Sequence, residues 1–506
     1  MDTLKIFEYD VENYISKKNI YKNNWDYLLQ ALFCAFEHRV SSITEKTCGD
    51  SLIEQELNIL DQAVRLCADN FRVTTRKSID IKNLNNFFED IFNYLDIKNA
   101  YILYLNDYFS VDIKQKNVVF RNLKIDPHLE VLNFYNKLSF SSNMREQFAL
   151  SSNHKTDNAL NDIYMRIQVF IKNAVAYKTE FPLESELNLQ NIYDVYAGLM
   201  AYGALSLLAR DGIIFMEREK LINHINRLTD VPITVIEKIF KLFTYNRKQK
   251  LDIIHTPLFE ILDQDKKECY LVSASLLLSS NIERNILILI KEKLKSNPFD
   301  GEQEEVMSKH IKNSLQQYSN LFMTTNIKLL KDSKDLLTDI DLILFDSNTN
   351  VLICGELKNF VYADSLQQHL NVQGRKDTEQ LNKAYEQVKK IKDYFNANIL
   401  AMSKTLFEKG IRINQDTKLE FVVISNNNLG YYNKYDIPIL ETDNFIKLCL
   451  SKKADLEAVV SSIRSDDFRE NIKQDFVCED KEISFAGYKI TYPYYYINHY
   501  GKENIL

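Results

Sequence analysis

Two short apolar runs set back to back around a polar loop constrain this chain more than anything else in it. The segment reads Thr338-Asp-Ile-Asp-Leu-Ile-Leu-Phe-Asp-Ser-Asn-Thr-Asn-Val-Leu-Ile-Cys-Gly-Glu-Leu-Lys-Asn359, with Asp346-Ser-Asn-Thr-Asn350 as the loop. Apolar runs joined by such a loop specify a β-hairpin with a longer turn. The hairpin places Asp339 and Asp341 at the open end of its first strand and Glu356 and Lys358 at the open end of its second, so four charged groups meet there. Side chains alternate along a strand, so Glu356 and Lys358 project from one face and Leu357 from the other. Charge at the end of an otherwise apolar strand needs a reason, because unpaired burial is costly. Two or three carboxylates converging with a backbone carbonyl make a hard-oxygen site suited to Mg²⁺. A neighbouring ammonium can orient, or help deprotonate, a water that attacks a phosphodiester. A salt-bridged hairpin end is the plain structural alternative.

The flanking pattern interleaves strands and helices. Pro298 and Gly301 punctuate the chain and mark the main boundary. A helix expected over 302–318 leads into strands near 322–329, 337–345, 351–358, 398–402 and 418–425, with helices near 363–370, 377–396 and 442–450. This indicates an α/β module over residues 299–452. In the 377–396 helix, Leu381, Ala384, Val388, Ile391 and Phe395 share one face, and Gln380, Lys383, Gln387 and Lys390 run along its edge. Asp377 followed by Gln380 is also close to a capping box, which would make Gln380 a helix-start residue.

This module resembles the catalytic core of the PD-(D/E)xK, or restriction-endonuclease-like, nuclease superfamily. The aspartate position falls on Asp341 and the Glu-x-Lys element on Glu356-Leu-Lys358; Ile340 stands where proline is usual, and Asp339 gives an Asp-x-Asp form. The helix opening at Gly301-Glu-Gln-Glu-Glu-Val-Met resembles the superfamily's first helix, whose glutamate often joins the metal site. Glu305 fits that role and Glu304 is the alternative; an acidic first turn stabilised by the helix dipole accounts for the same residues. Members related to Mrr-like and NERD-like nucleases carry a glutamine on the long helix, for which Gln380 is the counterpart and Gln387 the second choice. The runs Glu420-Phe-Val-Val-Ile-Ser-Asn426 and Asp436 to Cys449 look like the closing strand and helix.

The resemblance implies an α/β restriction-endonuclease-like domain, a mixed central sheet flanked by helices, behind a large, mainly α-helical N-terminal region. It implies a catalytic set of Asp341, Glu356, Lys358 and Gln380, with Mg²⁺, for which Mn²⁺ can substitute, held by Asp341 and Glu356. Asp339 or Glu305 and the Leu357 carbonyl would assist. Lys383, Gln387 and Lys390 would meet nucleic acid, DNA before RNA, and a homo-oligomer is expected because many such nucleases cut both strands as dimers.

Residues 1–298 are patterned mainly as helices, near 24–37, 51–69, 83–95, 157–177, 187–210, 215–226 and 232–244. A strand-like run from Cys269 and a helix from Asn281 to Lys295 follow. The stretch Asp194–Ala209 is apolar almost all round, as a helix inside a bundle would be, and Gly198, Ala201 and Ala204 permit close contact. Residues 453–506 form a C-terminal extension. Its aromatic tail, Tyr488 to Tyr500, suits a terminal strand packed on the body, or a stacking surface for unpaired bases.

Composition closes off several classes. The 506 residues, 45% hydrophobic and 26% charged, exclude a disordered or low-complexity chain. A net charge of −7 removes a globally basic surface, so nucleic acid would be met through a local groove including Lys383, Lys389, Lys390 and Lys392. Seven cysteines without a C-x-x-C pair, and no H-E-x-x-H, speak against a disulfide framework or a zinc site. With no leader pattern and no run near the ~18 apolar residues of a membrane span, a cytoplasmic protein is expected. No phosphate-binding glycine loop is present, so any ATPase activity would come from a partner subunit. A large non-catalytic region fused to such a domain is similar to restriction and phage-defence effectors. The expectation is therefore an Mg²⁺-dependent DNA endonuclease whose N-terminal region, with room for two subdomains, governs target or partner recognition. The alternative is a nuclease-fold protein without catalysis that binds nucleic acid or serves assembly.

Overall fold

In a computed structural model the described residues are 3–45, 50–70, 79–123, 159–175, 187–209, 211–248, 251–279, 282–294, 302–331, 335–360, 366–373, 380–426, 433–434, 436–464 and 476–497. They fall in two compact units: one holds those up to residue 294 together with 479–494, and the other holds 302–478 and 495–497. Among the described residues no helix is long and apolar enough to cross a membrane.

The first unit begins with α1 (Thr3–Ser16), α2 (Trp25–Glu45), α3 (Asp50–Asn70) and α4 (Ile81–Leu105), then the hairpin β1 (Phe109–Lys114) and β2 (Asn117–Asn122). Asp80 starts α4 by accepting the Lys82 N–H at 3.2 Å. Beyond it come α5 (Ala159–Val175), α6 (Leu189–Leu208), β3 (Ile213–Glu217), α7 (Arg218–Thr229) and α8 (Ile233–Phe243). The unit continues with β4 (Phe259–Leu262), β5 (Glu268–Ser273), α9 (Ala274–Ser279) and α10 (Ile282–Leu294). The apolar helix α6 is buried along most of its length in a core shared with α5, α7, α8 and α10. Gly198 permits the contact with α7, since a Cβ there would lie 3.0 Å from Ile225 Cδ1 and 3.2 Å from Thr229 Cγ2. The helix expected over 215–226 starts instead as β3, because β5 pairs with it, Phe215 opposite Leu271, a partner more than fifty residues away that local periodicity does not show.

The second unit is an α/β layer. After α11 (Glu302–Leu315) come β6 (Leu321–Lys331), β7 (Asp335–Asp346) and β8 (Val351–Lys358), then α12 (Leu366–Gln373) and α13 (Gln380–Phe407). The strands β9 (Lys418–Ser425), β10 (Asn433–Lys434) and β11 (Ile437–Glu441) complete the sheet, and α14 (Thr442–Ser451) and α15 (Leu456–Arg464) follow. The strand order is β10-β11-β9-β8-β7-β6, antiparallel from β6 to β8 and parallel where β8 meets β9 and β9 meets β11. The long α13 makes the crossover between parallel neighbours β8 and β9, and it packs on the face carrying Ile343, Cys354, Phe421 and Val423. The intervening residues Leu344, Ile353, Val422 and Ile424 are buried too, so the central strands are covered on both faces.

The loop after β7 is tied down by Asp346, which accepts from Asn348 N, Thr349 Oγ1, Asn320 Nδ2 and the Leu456 N–H at 2.9, 2.6, 2.8 and 3.2 Å. One expectation fails here. Residues 398–402 are not a strand, because α13 continues past a kink at Asn398 to Phe407. Met402 and Leu406 join Phe395 in the core at helical spacing, while Leu400 is exposed, and a four-residue apolar run does not discriminate between the two periods.

The last described strands, β12 (Phe476–Phe485) and β13 (Tyr488–Ile497), return to the N-terminal hairpin. The resulting sheet has the order β1-β2-β13-β12, with β13 parallel to β2. The described part of the aromatic tail is thus a packed strand: Tyr488 meets Phe7 edge-on, and the Tyr492 hydroxyl donates to Asp96 at 2.8 Å. Tyr500 lies outside the described residues.

Candidate active site

The open end of the β7–β8 hairpin is where the two strands part. Their last paired residues are Leu342 and Gly355. One step further, the Asp341 carboxylate replaces the ladder, its Oδ2 accepting the Leu357 N–H at 2.8 Å. On the other side of β8, Asn426 N–H donates to the Lys358 carbonyl at 3.1 Å, so Lys358 turns its main chain toward β9. Leu357, alternating with it, turns its own N–H and carbonyl toward β7 and the cleft beside Asp341.

Glu356 is fully buried, and Lys358 Nζ lies 2.7 Å from its Oε1. At that distance Lys358 is paired with the acid, and no other hydrogen-bond partner of either carboxyl oxygen is found among the described residues. Burial, first, and the negative charges of Asp341 and Asp339 push Glu356 up to about 8, against the opposing pull of Lys358. The structure therefore brings Asp339, Asp341, Glu356 and Lys358 together, with Asp341 buried and Asp339 half-buried. Among the described residues no three His, Cys, Asp or Glu side chains form a ready-made metal cage. Two carboxylates and a carbonyl are nonetheless a sufficient protein contribution for Mg²⁺, which keeps several of its waters.

The helix α13 faces this end of the sheet. The Phe395 ring lies 6.0 Å from Phe421, the residue in register with Cys354. In the crossover the helix runs against the strands. Gln387 lies eight residues back along it, about 12 Å toward the head of the helix. The Gln387 Oε1 is buried and has no hydrogen-bond partner among the described residues. Gln380, Lys383 and Lys390 are exposed on the flank that Gln387 belongs to. Gln380 is the first residue of α13 and has φ of +46°; Asp377, its expected capping partner, lies outside the described residues.

Glu305 is not gathered into the cluster. It is exposed on α11, ion-paired with Lys309 at 3.0 Å, and is not among the charges acting on Glu356. The side chain of Glu304 lies outside the described residues. His310, further along α11, meets Asp443 at the start of α14 at 3.1 Å and ties two helices together.

Sequence reasoning missed Asn426, the residue just past β9. Its Oδ1 accepts the Phe360 N–H at 2.8 Å and its Nδ2 donates to the Phe360 carbonyl at 3.2 Å. Its only signal in the sequence is an amide residue closing an apolar strand, which is common in turns. Compared with known proteins, the chain matches no family model and no curated sequence.

Proposed function

We propose that the second unit is a metal-dependent nuclease that hydrolyses phosphodiester bonds, DNA before RNA, and that the first unit governs target or partner recognition. The observation that carries this reading is Glu356, a fully buried acid paired with Lys358 and placed beside Asp341 where two central strands part. Two acids buried side by side with a single ammonium between them are a place where a divalent cation would relieve the remaining repulsion.

Asp341 and Glu356 would hold Mg²⁺ or Mn²⁺, with the Leu357 carbonyl and Asp339 as further oxygen donors. A bound metal would supply Lewis acidity toward the scissile phosphate. Lys358 holds the attacking water by a hydrogen bond from Nζ and keeps the Glu356 side of the cleft from repelling the phosphate. Gln387, and Gln380 at the head of α13, supply polar contacts on the helix side, and Lys383 and Lys390 neutralise the backbone of the substrate. Restriction or phage defence, with ATP hydrolysis left to a partner subunit and with self-association for double-strand cutting, is the setting that fits such a division of labour.

One observation favours a second reading, a nuclease-fold module that binds nucleic acid or serves assembly without cutting. Lys358 already neutralises Glu356 from within the protein. The deciding experiment incubates full-length protein with supercoiled plasmid, linear duplex, single-stranded DNA and RNA in Mg²⁺, Mn²⁺ or EDTA. Metal-dependent cutting that falls by roughly 10³-fold in Lys358→Ala and Glu356→Gln, with folding intact, is expected. Binding that survives in both variants, with no cutting by any form, would sink the nuclease reading.

A further inference from the structure

We infer that Asn426 is a positioning residue: it fixes the end of β8, and with it the Lys358 ammonium, against β9. The inference rests on the reading of Lys358 as the group that holds the attacking water. The β8–β9 ladder ends with Lys358 opposite Ser425. Past that point the Asn359 side-chain amide is buried and finds no hydrogen-bond partner among the described residues. Asn426 does so from across the gap. Its N–H donates to the Lys358 carbonyl at 3.1 Å, and its side chain takes the Phe360 N–H and serves the Phe360 carbonyl at 2.8 and 3.2 Å.

A carboxamide carries the same donor and acceptor as a peptide group, so this side chain stands in for one more residue of strand pairing. Phe360 is itself packed in the core under α13. Residues 358–360 are thus held by β9 on one side and by the core on the other. The 2.7 Å approach of Lys358 to Glu356 depends on that anchorage. A shift of about 1 Å at a catalytic group can cost on the order of 10²-fold in rate. Alanine and serine cannot span both groups, and an ionised aspartate would set an oxygen against the Phe360 carbonyl.

The test uses full-length Asn426→Ala and Asn426→Asp with two readouts. The first is the rate at which an amine-reactive reagent labels Lys358, followed by mass spectrometry against exposed Lys309 and Lys404. Labelling of Lys358 should rise roughly tenfold in Asn426→Ala, with both reference lysines unchanged. In Asn426→Asp it should rise likewise at about pH 8, where the ionised carboxylate cannot donate to the Phe360 carbonyl. The second readout is cleavage, where kcat should fall roughly 10- to 100-fold with KM for the nucleic acid unchanged. Lys358 labelling that stays at the wild-type rate in both variants overturns the inference, as does a rise shared equally by Lys309 and Lys404. If labelling responds as expected but the wild type cuts nothing, Asn426 keeps its positioning role and the nuclease reading fails instead.

Discussion

Glu356 makes the metal-free protein less stable as pH rises. Its ordinary value is 4.5, and in the fold it is pushed up to about 8. Below the ordinary value both folded and unfolded chains carry the proton, and nothing is lost. Between the two values the unfolded chain releases the proton while the folded one retains it, so stability falls as pH rises toward 8, by a few kcal/mol at most. Thermal melts in EDTA should show the wild type losing ground against Glu356→Gln from about pH 5 to pH 8. Mg²⁺ at pH 8 should raise the melting temperature of the wild type and leave that of the variant where it was. A wild type whose melting temperature keeps a constant offset from the variant across that range would contradict this account. The charged cluster was legible at this scale, since Asp339, Asp341, Glu356 and Lys358 are forced together by a hairpin that the local pattern specifies. The fate of Glu305 was not, because the direction a helix side chain takes depends on how α11 is docked.

Among the elements, the turn after β7 does more than reverse the chain. Burial raises the Asp346 carboxyl, but hydrogen bonds from Thr349 and Asn320 and from the Asn348 and Leu456 N–H groups outweigh it and hold the group below the usual carboxylate range. The stability it contributes is present above the unfolded carboxylate range and is lost as pH falls through it. Asp346→Ala should cost roughly 2–3 kcal/mol in urea unfolding at neutral pH, because it removes four hydrogen bonds and strands the Leu456 N–H, a buried donor. The deficit should shrink toward acid pH, where the wild type loses the same bonds. A loss below about 1 kcal/mol at neutral pH would mean that α15 is anchored by its apolar contacts alone. The sequence identifies the loop as a polar turn, but the tie to Leu456 joins residues 110 positions apart and leaves no local trace. The same limit explains α13, where a four-residue apolar stretch read as a strand is helical because Met402 and Leu406 find a core to enter.

For the whole molecule, residues 479–494 of the C-terminal tail belong to the first unit. The side chains of Phe485, Tyr488, Ile490 and Tyr492 are buried, and Lys481 pairs with Asp96 at 2.9 Å while lying over the Phe92 and Tyr494 rings. A chain ending at Cys478 should lose several kcal/mol from the first unit, since each buried side chain of this size contributes about 1.5–3 kcal/mol. Trp25, the chain's one tryptophan, lies in that unit, so the denaturant midpoint of its fluorescence should drop. Amide exchange in β8 should stay as it was; loss of protection there with an unmoved Trp25 transition would reverse the assignment. The sequence by itself determined the alternating β7 and β8, their charged ends, the α/β pattern of residues 302–451 and the buried helix α6, because each is written in periods of two to four residues. Tertiary structure alone decided that β13 adds to β2, that β3 is a strand, that Glu356 is fully buried and that Asn426 bonds the chain beside Lys358. These depend on partners far apart in the sequence, and a pairing of that kind is selected by the burial and hydrogen bonds it completes in space.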